Sequence, residues 1–128
     1  ATPPEAERPC PCGGERYATC CGPYHRGEVD PPDAEALMRS RYSAFVLGLA
    51  DYLLATWHAS TRPAELVLEP GVKWLGLDVR RHQRQDDTHA TVEFVARSRM
   101  GGQGQRLHEV SRFVKDNGHW LYVDGNLL

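Results

Sequence analysis

The chain has 128 residues, 41% apolar and 25% charged, with a formal net charge of −2. That is enough for one hydrophobic core plus a short appendage, in the composition range of ordinary globular proteins. The balance of 15 Lys and Arg against 17 Asp and Glu carries no basic excess for nucleic acid, and the longest apolar stretch, near 45–55, falls far short of the ~20 residues of a membrane span.

Residues 1–9, rich in Pro, Glu and Ala, read as a flexible N-terminus without the apolar run of an export signal. The expected compartment is therefore the cytoplasm, where thiols stay reduced.

All four cysteines follow at once: Cys10, Cys12, Cys20 and Cys21. Cys10 and Cys12 flank one residue, so a tight turn can aim both sulfurs inward. Gly13-Gly14 then allows backbone N–H groups to point at a sulfur. Cys20 and Cys21 are adjacent, and on a first helical turn they diverge by about 100°, within reach of one ion. Four thiolates suit a closed tetrahedral Zn2+ site of structural type, with His25 as an alternate ligand. Arg8, Arg16 and Arg26 are near enough in sequence to offset the negative charge. Disulfide pairing, a redox dithiol and iron–sulfur ligation remain alternatives at this point.

Residues 26–32, ending in Pro31-Pro32, read as a linker. Asp33 then offers an N-cap, with Glu35 in the first turn. Apolar residues at Ala34, Leu37, Met38, Tyr42, Phe45, Val46 and Leu49 predict a helix, and Gly48 supplies its C-terminal stop. A short second helix begins near Asp51, with Tyr52 to Trp57 as its body, and Pro63 bounds the next turn.

After Pro70-Gly71 the period changes to two. Val72, Trp74 and Gly76 alternate with Lys73, Leu75, Leu77 and Val79. Asp86-Asp87 marks a turn. In 88–100, Ala90, Val92, Phe94 and Ala96 face one way and His89, Thr91, Glu93, Val95 and Arg97 the other. Gly101 to Gly104 reads as a flexible hairpin loop. In 106–115, Glu109, Ser111 and Phe113 oppose Val110, Arg112 and Val114. Asn117-Gly118 predicts a type I′ hairpin, and 119–123 closes the sheet. The predicted fold is α+β, with helices packed on one face of a curved antiparallel sheet of about four strands.

A curved sheet under helices can enclose a pocket. Aromatic candidates for its wall are Tyr42, Tyr52, Trp57, Trp74, Phe94, Phe113 and Trp120, and polar ones Arg39, Arg41, His58, His108, Glu109 and Arg112; the chosen lining is Arg39, Tyr42, Trp57, His58 and Glu109. Arg39 and Tyr42 share a helix face at a spacing of three, whereas Arg39 and Arg41 lie 200° apart and cannot both point inward. His58 and Glu109 would form an acid/base pair if they met. The chain contains no nucleophile elbow, phosphate loop or His-Glu-x-x-His.

Cys10-Pro-Cys-Gly, Tyr17 and Cys20-Cys21-Gly-Pro resemble the SEC-C zinc motif, and place a zinc knuckle at 10–25. The run from Glu35 to Phe45, with Tyr52-Leu53, Thr56-Trp57-His58 and Trp120 to Gly125, resembles the YchJ-like family of uncharacterised bacterial proteins. The resemblance implies a SEC-C segment joined to a nuclear transport factor 2-like (cystatin-like) cone at 33–128, and brings no established activity. The expected function is a zinc-stabilised module whose knuckle docks a protein or ribonucleoprotein partner and whose cone is a scaffold or takes a small apolar ligand. An enzyme working in the cone pocket, such as an isomerase or hydrolase, and thiol redox or metal handling are the alternatives.

Overall fold

The structure, a computed structural model, describes residues 10–13, 16–66, 68 and 71–128. The N-terminal segment 1–9, Gly14 and Pro70 lie outside the described residues.

A 3-10 turn, Tyr17–Thr19, leads into a single helical turn α1, Gly22–His25. Helix α2 spans Ala34–Leu47. Asp33 caps it, its carboxylate accepting from the Ala36 amide at 2.7 Å, and Gly48 ends it in the left-handed region at φ 75. Helix α3 is Ala50–Ala55. It stops short of Trp57, which the sequence had assigned to the helix body. Residues 56–58 instead pair with the last strand: the Tyr122 amide donates to Thr56 O at 2.8 Å, and the His58 amide to Tyr122 O at 2.7 Å.

Four strands form an antiparallel meander in the order β1 (Lys73–Arg84), β2 (His89–Met100), β3 (Gln103–Asp116), β4 (His119–Leu127). The hairpin turns carry the φ signs their residues allow: Asn117 at 52 and Gly118 at 81, Gly101 at 58 and Gly102 at 82. The loop expected at Gly101 to Gly104 is thereby a two-residue turn, with Met100 opposite Gln103.

Ala90, Val92, Phe94 and Ala96 are buried along one face of β2, as alternation requires. Strict alternation fails on β1 and β4. The register jumps between Trp74 and Gly76, so Leu75 bulges out, 48% exposed, and Trp74 packs on the core together with Leu77 and Val79. On β4 the register jumps opposite Arg112 and Phe113, passing Val123, so Tyr122 and Gly125 follow Phe113 and Ser111 on one face. One extra residue reverses the side to which all later side chains point.

Candidate functional site: a four-thiol cluster and a cone cavity

The cluster is assembled by backbone turns. The Gly13 amide donates to Cys10 O at 3.0 Å, closing the turn that brings Cys10 and Cys12 together. The Cys20 amide donates to Tyr17 O at 3.2 Å, and Cys21 is the N-cap of α1. Gly22 makes this possible, since a Cβ there would stand 2.7 Å from Tyr17 O.

Neighbouring sulfurs are separated by 3.5 Å (Cys10–Cys12), 3.5 Å (Cys12–Cys20), 3.6 Å (Cys12–Cys21) and 4.0 Å (Cys20–Cys21), and all four lie within 4.8 Å of one another. No disulfide joins them. A tetrahedral ion with metal–sulfur bonds of 2.3 Å needs sulfurs about 3.8 Å apart. The donor set therefore fits a metal ion.

Sulfurs this close perturb one another's titration. Hydrogen bonding with the Cys12 and Cys21 thiols pulls Cys10 far below the ordinary thiol range. Burial, then the Cys12 sulfur, pushes Cys20 up to about 12. Cys21 is pushed up by hydrogen bonding to Cys10 and then Cys12. The four therefore share negative charge unequally: Cys10 gives up its proton most readily, and Cys20 and Cys21 resist.

The knuckle is seated on α2. Ser43 Oγ donates to Cys21 Sγ at 3.2 Å and lies 3.5 Å from Cys10 Sγ. Arg39 Nη1 donates to Cys12 O at 3.1 Å. Cys10, Cys12 and Cys21 belong to the same buried cluster as Leu37, Met38 and Tyr42. Residues 26–32 thus connect two segments that share one core.

His25, the alternate ligand, is not at the cluster. Its Nε2 lies 2.7 Å from Ser40 O and its Nδ1 2.5 Å from Tyr17 Oη. A carbonyl only accepts, so Nε2 carries the proton and Nδ1 accepts from the Tyr17 hydroxyl. Nε2 thus ties α1 to α2, and Nδ1 ties it to the Tyr17 turn.

The pocket is real, but its polar members differ from expectation. A cavity of about 290 Å³ lies between α2 and the sheet, with apolar walls from Met38, Tyr42, Phe45, Trp74, Phe94 and Phe113. Of the five residues chosen from the sequence, Tyr42, Trp57 and Glu109 line it, and Arg39 and His58 do not. Arg39 lies on the knuckle side, paired with Glu35 at 3.3 Å. His58 turns to Ser60 at 2.7 Å and to Asp116 at 3.7 Å, so the His58–Glu109 pair does not form.

Arg41 takes the place proposed for Arg39. It is 6% exposed and lies three and four residues after Met38 and Leu37, within the inward stripe. Its Nη1 donates to Leu53 O at 2.8 Å and to Thr56 Oγ1 at 2.7 Å. The guanidinium lies 4.6 Å from the Tyr122 ring centre and 5.2 Å from that of Trp57. Burial lowers its pKa to about 10, with Tyr122 first among the groups opposing that shift, so it stays charged at neutral pH. Glu109 accepts from the Ser111 hydroxyl, and a Cβ on Gly125 would stand 2.6 Å from its Oε2. Sequence reasoning named Arg41 only as the rotational alternative to Arg39, and it missed Ser43, Ser111 and Tyr122. Two serines, Ser40 and Ser43, inside a helix that already has an apolar stripe were the available signal of a second packed face.

A family model described as YchJ, middle NTF2-like domain, matches residues 33–125. A UPF0225 protein of Cupriavidus metallidurans is 61% identical, over 93% of this chain and 89% of its own length. Another, from Bordetella parapertussis, is 60% identical over 98% and 97%. The solution structure of a SEC-C motif containing protein from Rhodopseudomonas palustris superposes with a TM-score of 0.84 at 33% identity, covering 94% of this chain and 99% of that one. The crystal structure of one from Psychrobacter arcticus gives 0.82 at 30% identity, covering 97% and 85%. With a four-thiol knuckle seated on an NTF2-like cone, and with these relatives, the chain belongs to the YchJ-like UPF0225 family.

Proposed function

We propose that the protein is a zinc-clamped small-ligand-binding domain. The observation that carries this reading is the double role of α2. One face holds the thiol cluster through Ser43 and Arg39, and the other presents Arg41 and Tyr42 to the cavity. Cys10, Cys12, Cys20 and Cys21 would hold the ion. Zinc is the natural occupant of a four-cysteine tetrahedron and supplies a redox-silent cross-link with no open coordination position. The knuckle then holds α2 in the rotation that keeps Arg41 inward.

Binding is favoured over turnover because Glu109 is held by Ser111, while His58, its expected proton partner, lies elsewhere. Burial of Cys10, Cys12 and Cys21 likewise speaks against thiol redox chemistry. Metal analysis of the reduced full chain, joined to NMR of the Trp57 and Trp74 indoles before and after chelation, tests the reading. About one zinc per chain, with both indole signals moving on its removal, is the expected result. A metal-free chain with a well-formed cavity would overturn it.

A second reading, docking of a protein or ribonucleoprotein partner on the knuckle, is favoured by one observation. Cys20, the most accessible of the four, opens on a cleft of about 390 Å³ lined also by Arg16, Tyr24 and Arg39. It requires that Arg16→Glu, which leaves the thiols intact, abolish binding of whatever partner the wild type retains.

A further inference from the structure

The cavity wall is apolar except at one end, and that end carries opposite formal charges. Arg41 is almost wholly buried, yet only its Nη1 meets protein acceptors among the described residues. No described side-chain nitrogen or oxygen that is itself buried lacks a partner, so Nε and Nη2 keep some accessible surface, and Arg41 lines the cavity. Glu109 lines the same cavity. Ser111 occupies its Oε2, and no described donor reaches its Oε1. The two groups act on each other electrostatically, yet no ion pair joins them among the described residues. Gly125 keeps the carboxylate where it is, because any larger residue would fill the space Glu109 occupies.

We propose that the cavity takes a neutral, planar ring compound bearing an adjacent hydrogen-bond acceptor and donor, as on the edge of a cyclic amide. This rests on reading the cavity as a ligand site. The ligand carbonyl accepts from the free nitrogens of Arg41, and the ligand N–H donates to Glu109, each over about 2.9 Å. The ring packs among Met38, Phe45, Trp74 and Phe94. A carboxylate would gain Arg41 but meet Glu109, and an amine the reverse. A hydrocarbon would leave both charges stripped of water and unpaired, which a site built of buried polar groups penalises heavily. A cavity of about 290 Å³ accommodates two fused rings. Leu107, 37% exposed, stands at its rim.

Three probes of matched size separate the possibilities on the zinc-loaded full chain: 2-quinolone, 2-naphthoate and naphthalene. Affinities are read by NMR titration of the Trp57 and Trp74 indole signals. The expected order places 2-quinolone about tenfold or more ahead of the other two, the discrimination of one well-made buried polar contact. Glu109→Gln leaves the wall with a net positive charge and should reverse the preference toward 2-naphthoate. A merely structural role for Glu109 would not produce that reversal. Gly125→Ala, which displaces the carboxylate without changing its charge, should weaken 2-quinolone and spare naphthalene.

Naphthalene binding as tightly as 2-quinolone, or 2-naphthoate binding best to the wild type, overturns the cyclic-amide proposal and leaves the ligand site standing. Indole signals unmoved by all three probes overturn both.

Discussion

The Ser43 hydroxyl donates to the Cys21 sulfur across 3.2 Å. Ser43 is wholly buried in α2, twenty-two residues from that cysteine, so this bond joins the four-thiol cluster to the helix that walls the cavity. A hydrogen bond to a ligating sulfur steadies its thiolate form, and loss of such an outer partner typically costs 10- to 100-fold in metal affinity. Ser43→Ala is predicted to weaken zinc binding by about tenfold or more while the chain stays folded in excess metal. Competition with a chromophoric chelator measures this, and an unchanged affinity would disconnect Ser43 from the site.

Metal removal should act on the whole domain rather than on the knuckle alone. Cys10, Cys12 and Cys21 sit in one buried cluster with Leu37, Met38 and Tyr42. Metal binding by a four-thiolate site is worth on the order of 10 kcal/mol, and much of that is folding free energy. Chelation is predicted to lower the thermal midpoint of the entire cooperative transition and to broaden the α2 resonances. If a chelator melts only residues 10–25 and leaves the sheet and α2 untouched, the clamp is not coupled to the cone.

Gly22 is the tightest backbone position of the knuckle, where a Cβ would stand 2.7 Å from the Tyr17 carbonyl oxygen. Backbone must move to relieve that approach, and overpacking of this kind costs about 1–3 kcal/mol. Gly22→Ala should pull Cys20 and Cys21 away from the other pair and reduce zinc affinity by about tenfold or more. Gly27→Ala, where nothing lies within 4 Å of the added atom but φ is 75, serves as the control that strains a backbone without touching the thiols.

His25 gives the fold a pH dependence of definite sign. Burial holds its pKa below the ordinary 6.5, against the opposing hydrogen bond to the Ser40 carbonyl. The unfolded chain takes up a proton near 6.5, whereas the folded chain resists until a lower pH. The stability this contributes is complete above 6.5 and is lost as pH falls through 6.5 toward the folded value. Urea midpoints taken between pH 8 and pH 5.5 with zinc in excess should fall less steeply for His25→Gln than for the wild type. Parallel slopes would show that His25 contributes none of the acid sensitivity.

The elements legible in the sequence were those set by local chemistry. Asp33 as a cap, Gly48 as a left-handed stop and Asn117-Gly118 as a turn each depend on a backbone conformation that few residues adopt, and each stands where it was read. A single apolar stripe would put Arg39 beside Tyr42 in the pocket. Helix α2 is instead buried on two sides, with Ser40 and Ser43 toward the knuckle and Met38, Arg41 and Tyr42 toward the cone. A helix with two packed faces has no single hydrophobic direction from which to fix its rotation. His58 failed for another reason: backbone pairing of 56–58 with Tyr122 turns its ring away from Glu109.

By itself, the sequence determined the four-cysteine set, the helix–helix–meander order and the turn positions, because spacing, capping and left-handed φ are properties of a few neighbouring residues. Only the tertiary structure decided that the knuckle shares the core, that Arg41 rather than Arg39 reaches the cavity, and that bulges at Leu75 and Val123 bring Trp74 and Gly125 to the inner face. Those outcomes turn on a rotation of one helix and a one-residue slip in two strands. Local propensities are nearly indifferent to either, and packing between residues distant in sequence selects them.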